Sequence, residues 1–184
     1  INTGPSTLSG ETALTISAWV KPTSYGGAAA ESFISTDKAS PRGFYLGLYN
    51  AQNFRFAFTT NGVNLTAINT ATSTVDLNVW QHILVTWDQV NLKLYKNGVL
   101  LNTVPTTFAS NGTFTTTNDL LIGVRQSPNV GAFPGNIDEC AYWNTILSED
   151  TIEKIYNTTN DNPGKVADLS ETPEGAPLAW YRFE

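Results

Sequence analysis

WQHILVTWDQVNLKLYKNGVLLN, residues 80–102, decides the fold. HILVTWD (82–88) and LKLYKNG (92–98) are rich in β-branched and aromatic residues and read as strands. Between LKLYK and VLLN stands Asn97-Gly98. Both central residues of a type I′ turn need positive φ, which Asn-Gly tolerates best, so the stretch predicts a β-hairpin.

The same strand character extends outward. LTISAWV (14–20) puts Leu14, Ile16, Ala18 and Val20 on one face. FRFAFTT (54–60) puts Phe54, Phe56 and Phe58 on one face, with Arg55 and Ala57 on the other. FYLGLYN (44–50) and LLIGVRQ (120–126) add two more strands. One stretch reads as helix: LSEDTIEKIYN (147–157) offers Ser148 as N-cap, and Glu149 and Asp150 suit the positive end of the helix dipole. The pattern predicts an all-β sandwich of two antiparallel sheets with one short helix near 148–157, docked over the sandwich's edge. Residues 1–159 form the domain on this reading. Residues 160–184 form a polar linker followed by PLAWYRFE (177–184), which has the look of a strand.

Composition bounds the function. The chain has 184 residues, enough for one domain with a real core, and 41% of them are hydrophobic. Only 14% are charged, a low share, which suits secreted or surface-exposed β proteins. The net charge of −6 gathers after residue 137, and no basic patch is present to grip a phosphate backbone, so a nucleic-acid partner is excluded. No long apolar run predicts membrane insertion and no targeting leader stands at the start. The single cysteine, Cys140, allows no disulfide within the chain.

Catalytic constellations are weak. Asp138 and Glu139 are adjacent, and neighbouring residues of a regular strand point to opposite faces, so they do not flank one glycosidic bond. His82, the only histidine, has no G-x-S-x-G elbow to serve and reads as structural. Cys140 inside a strand reads as a small hydrophobe. Carbohydrate recognition asks for aromatic rings with Asn or Arg beside them. Tyr25, Tyr45, Tyr49, Arg55, Arg125, Asn129 and Phe133 are candidates outside the main core runs, and Tyr49, Arg55, Arg125 and Asn129 are taken forward as ligand-binding residues.

TISAWVKP (15–22), the Gly-bearing FYLGLYN, WQHILVTWD, LKLYKNG, LLIG (120–123) and FPGNIDECAYWNTILSEDTIEKIYN (133–157) follow one another in order. This set resembles the laminin G-like, concanavalin A-like jelly-roll family over about residues 8–157. The resemblance implies a non-catalytic glycan-binding or adhesive module of a secreted, cell-surface or virion protein. It also implies a structural Ca²⁺ with Asp138 as a ligand; the residues alone equally allow Asp138 to accept loop N–H groups. Catalytic relatives carry acids at alternating positions on one strand, a pattern this chain lacks at 136–141. A segment like LAWYRFE commonly begins such a domain. Its place here, after a Leu-Ser-bearing linker, is similar to laminin G-like proteins of tailed bacteriophages, where the module would be a structural subunit. The tail then has three fates: pairing within its own sandwich, joining a neighbouring copy, or starting another domain.

Overall fold

The structure, a computed structural model, describes residues 1–5, 7–25, 27, 30–38, 41–50, 52–106, 113–114, 116–127, 130–156 and 167–183. Its strands form two antiparallel sheets packed face to face. The first sheet runs β1 (Asn2–Pro5), β10 (Asp119–Ile122), β3 (Glu31–Ser35), β4 (Tyr45–Tyr49), β5 (Asn53–Phe58) and β6 (Thr66–Asn69). A short ribbon of β11 (Val124–Ser127) and β12 (Val130–Ala132) joins it beside β3. The second sheet runs β14 (Ala179–Tyr181), β13 (Gly135–Trp143), β2 (Leu14–Pro22), β7 (Gln81–Trp87), β8 (Asn91–Lys96) and β9 (Val99–Pro105).

Alternation builds the core. Phe54, Phe56, Phe58, Leu46 and Leu48 of the first sheet meet Leu14, Ile16, Ala18, Val20, Ile83 and Val85 of the second. Phe58 and Trp87 touch across the gap with ring centroids 4.9 Å apart. Each such fully buried side chain contributes about 1.5–3 kcal/mol. The 97–98 hairpin is as predicted: φ is 53° at Asn97 and 77° at Gly98. The Asn97 side chain also accepts the His82 N–H at 2.8 Å, which ties the turn to β7.

The helix α1 (Glu149–Tyr156) starts at Ser148, whose Oγ accepts the Thr151 N–H at 3.2 Å. It lies over the outer face of the second sheet rather than over its edge. Leu147, Ile152 and Ile155 pack there with Leu84, Tyr95, Ala141 and Trp143. This is why β2 and β7 are buried on both faces. The strand expected over 120–126 is broken at Gly123, where φ is 85°, into β10 and β11.

The tail corrects the linker reading. Residues 160–166 lie outside the described residues, but 167–177 are packed. Leu169 is buried beside α1, Glu174 accepts the Ser148 N–H at 2.9 Å, and Gly175 accepts from the Trp143 indole at 3.1 Å. Sequence reading missed this because the apolar anchor is a single leucine in a polar stretch. Residues 179–181 then pair antiparallel with β13 of the same chain, with Trp180 opposite Ala141. Trp180, Tyr181 and Phe183 are thereby half-buried against their own domain.

Candidate functional site

The outer face of the first sheet gathers three of the four residues taken forward from the sequence. In register across β3, β4, β5 and β6 stands the row Ser32, Gly47, Arg55, Asn69. Residues directly opposite one another share a face, and the core-facing neighbours Leu46, Leu48, Phe54 and Phe56 fix which face this is. Tyr45 and Tyr49 flank Gly47 along β4. The Arg55 guanidinium lies 4.2 Å from the Tyr49 ring centre, and that of Arg125 lies 4.6 Å from the Tyr45 ring centre. Asn129 lies outside the described residues. Tyr25 is exposed elsewhere on the surface, and Phe133 sits in the core against Phe33.

Asp37 organises one end of this face. It is fully buried and accepts from Arg42 at 3.0 and 3.1 Å, from the Gly43 N–H at 3.3 Å, and from Arg125 Nε at 2.9 Å and Nη2. Two forked guanidiniums on one carboxylate hold Arg125 over Tyr45. Sequence reasoning did not find Asp37, because its partner Arg125 is 88 residues away.

Gly47 has a separate reason. A Cβ there would stand 2.3 Å from the Glu31 carbonyl oxygen and 2.8 Å from the Ser32 Cα. The β3 backbone comes that close because β3 skips register between Ser32 and Ile34. Around the glycine, Ser32 Oγ, Asn53 Oδ1, Arg55 Nε and Asn69 Oδ1 are buried with no hydrogen-bond partner among the described residues. Buried polar groups are nearly always paired, and an unpaired one costs about 1–3 kcal/mol. All four belong to the same sheet face.

The Asp138–Glu139 pair departs from the regular strand assumed for it. β13 skips register between Asp138, opposite Trp19, and Ala141, opposite Ser17, and Glu139 takes a left-handed φ of 51°. This bulge turns both carboxylates onto the tail. Asp138 Oδ1 accepts the N–H groups of Glu139 at 2.8 Å and Phe183 at 2.9 Å. Glu139 accepts from the Trp180 indole and from Arg182 Nε at 3.2 Å. Burial raises the Glu139 carboxyl above its ordinary range. A Ca²⁺ site needs six to eight oxygens. At Asp138 two N–H donors take Oδ1, and no cluster of three His, Cys, Asp or Glu occurs among the described residues.

A family model described as the concanavalin A-like lectin/glucanases superfamily matches residues 1–153. The chain belongs to this superfamily. Solved structures agree on the fold at low identity. A putative carbohydrate-binding protein from Bacteroides ovatus is 14% identical with a TM-score of 0.69, covering 98% of this chain and 50% of its own. The CBM40 of a Ruminococcus gnavus IT-sialidase, solved with α2,3-sialyllactose, is 19% identical with a TM-score of 0.62, covering 79% and 83%. The binding domain of paraclostridial mosquitocidal protein 1 is 16% identical with a TM-score of 0.62, covering 80% of this chain; the chain spans only 37% of it. No curated protein sequence matches the chain significantly.

Elsewhere in this concanavalin A-like domain, His82 and Cys140 are fully enclosed. Burial pushes the Cys140 thiol up, so it stays protonated. The His82 ring lies tilted against Trp19 with centroids 5.4 Å apart, its Nδ1 has no partner among the described residues, and burial pushes it down to about 3. The folded chain therefore holds His82 neutral while the unfolded chain takes up a proton below about 6.5. Stability present above that value is lost as pH falls towards 3, at about 1.4 kcal/mol per pH unit. Urea unfolding at pH 7 and pH 5 is expected to show His82→Gln losing about 2 kcal/mol less than the native chain between those conditions; equal losses would refute the assignment.

Proposed function

We propose that this domain is a non-catalytic glycan-binding module, with the outer face of the first sheet as its site. One observation carries the reading: two guanidinium–tyrosine contacts bracket a row of buried polar atoms with no partner among the described residues, all on a single sheet face. Sugars present hydroxyls to pair such atoms, and their flat faces suit ring and guanidinium planes. On the other sheet, α1 and Leu169 cover the outer face around Leu84, Tyr95, Ala141 and Trp143. Carbohydrate-binding proteins among the structural relatives support the same reading. So does the engagement of Asp138 and Glu139 with the tail, which takes both away from hydrolytic chemistry. The family and the low charge support an extracellular or surface setting. Among the described residues no helix is long and apolar enough to cross a membrane.

A glycan array followed by titration calorimetry tests this. Arg55→Ala and Tyr49→Ala are expected to weaken binding roughly tenfold or more while the far-ultraviolet spectrum is unchanged. A substitution on the opposite sheet edge, Val99→Ser, is expected to leave binding intact. Binding untouched by changes at Arg55 and Tyr49 would move the site elsewhere. The structural-subunit reading requires residues 177–184 to leave β13 for a neighbour, and sedimentation over a range of concentrations tests it. Calcium is tested by comparing melting with Ca²⁺ and with chelator.

A further inference from the structure

We infer that the ligand of this face carries an anionic group, a carboxylate or a sulfate ester, and that Arg55 receives it. The inference rests on the glycan-binding reading and names the class of sugar. Arg42 and Arg125 both pair with Asp37, and Arg182 pairs with Glu139. Arg55, the remaining arginine of the chain, makes no ion pair or hydrogen bond among the described residues. Its charge rests on the Tyr49 ring, 4.2 Å from the guanidinium carbon. A ring face offsets part of the charge and accepts none of the in-plane N–H groups. Nε is enclosed, but Nη1 and Nη2 of this half-buried side chain are not. The outer edge of the guanidinium therefore meets a ligand with no rearrangement of the chain.

The charge around Arg55 favours an anion. Burial raises the Tyr45 hydroxyl, while Arg55 and Arg125 both pull it down, so both guanidiniums lie within electrostatic reach of that one ring. The carboxylate beside them, Asp37, is shared between Arg42 and Arg125. Three guanidiniums against one carboxylate leave two positive charges here, in a chain whose net charge is −6. Like charges gathered in one place repel, and an anionic ligand relieves that repulsion. The Nη1–Nη2 edge also offers two parallel N–H donors, the spacing that the oxygens of a carboxylate or sulfate match. A neutral hydroxyl supplies neither the charge nor the paired oxygens.

The test is a panel of sialylated, uronate-bearing and sulfated oligosaccharides beside their asialo, carboxyl-reduced and desulfated counterparts, with the hits titrated at low and high salt. The expected result is that acidic members bind roughly tenfold more tightly than their neutral counterparts and weaken as salt rises. The carboxylated and sulfated arms tell which anion is meant. Arg55→Gln keeps an amide donor and removes the charge. It is expected to bring an acidic hit down to the level of its neutral counterpart, so that stripping the ligand's charge costs nothing further in the variant. Equal binding of acidic and neutral members, unmoved by salt, overturns the inference and leaves the glycan-binding reading standing. An acid preference that survives in Arg55→Gln does the same. Binding to no member overturns both.

Discussion

A chain ending at Ala176 is expected to melt on the order of 10 °C below the full chain. The cut removes the pairing of 179–181 with β13 and the half-buried Trp180 that packs beside Trp143. It also strips Glu139, only 5% exposed, of both side-chain donors, and Asp138 of the Phe183 N–H. A buried carboxylate left unpaired costs about 3 kcal/mol. In a protein of this size each kcal/mol moves the melting point by roughly 2–4 °C. The cap from Glu174 and the anchor at Leu169 remain, so the loss isolates the last strand. Scanning calorimetry reads the shift, and an unchanged melting point would sink the account. Glu139→Gln separates the charge from the contacts. The native carboxyl is raised by burial, so its favourable contribution belongs to low pH and is lost as pH rises through the folded value. The amide still accepts from Trp180, and at neutral pH this variant is expected to be as stable as the native chain or more so.

Asp37→Ala is expected to cost about 3 kcal/mol in urea unfolding and to abolish ligand binding. Breaking a buried ion pair leaves unpaired charge, typically about 3–5 kcal/mol. The lower figure applies because Arg42 and Arg125 are 27% and 23% exposed and recover some water. Binding fails because Arg125 loses the carboxylate that lays it over Tyr45. Arg42→Ala is the companion. It removes one fork and leaves Arg125 in place, so stability falls by less and binding persists. Equal loss of binding in both variants would mean that Arg125 is not held through Asp37.

What could be read from the chain beforehand followed its local chemistry. Alternation at Leu14–Val20 and Phe54–Phe58 marked the core, Asn97-Gly98 marked the hairpin, and Ser148 marked the start of α1. Arg55 was visible as a solvent-side residue because Phe54 and Phe56 claim the other face. Asp37 was not visible, since its meaning comes from Arg42 and Arg125 arriving at one carboxylate from different parts of the chain. The bulge at Glu139 was hidden as well: a left-handed glutamate carries no sequence signal of the kind glycine gives at Gly123, so regular alternation put the two acids on opposite faces. Residues 167–177 read as linker because their hold on the domain runs through backbone groups and single side chains rather than through a periodic apolar stripe.

The crowding at Gly47 has a consequence for how this surface can diversify. With the Glu31 carbonyl where a Cβ would stand, the centre of the face tolerates no side chain. Substitutions that reshape this face must therefore fall around a fixed hub, at Ser32, Asn53, Arg55 and Asn69. Variation within a lineage should be sparse at position 47 and dense at its neighbours.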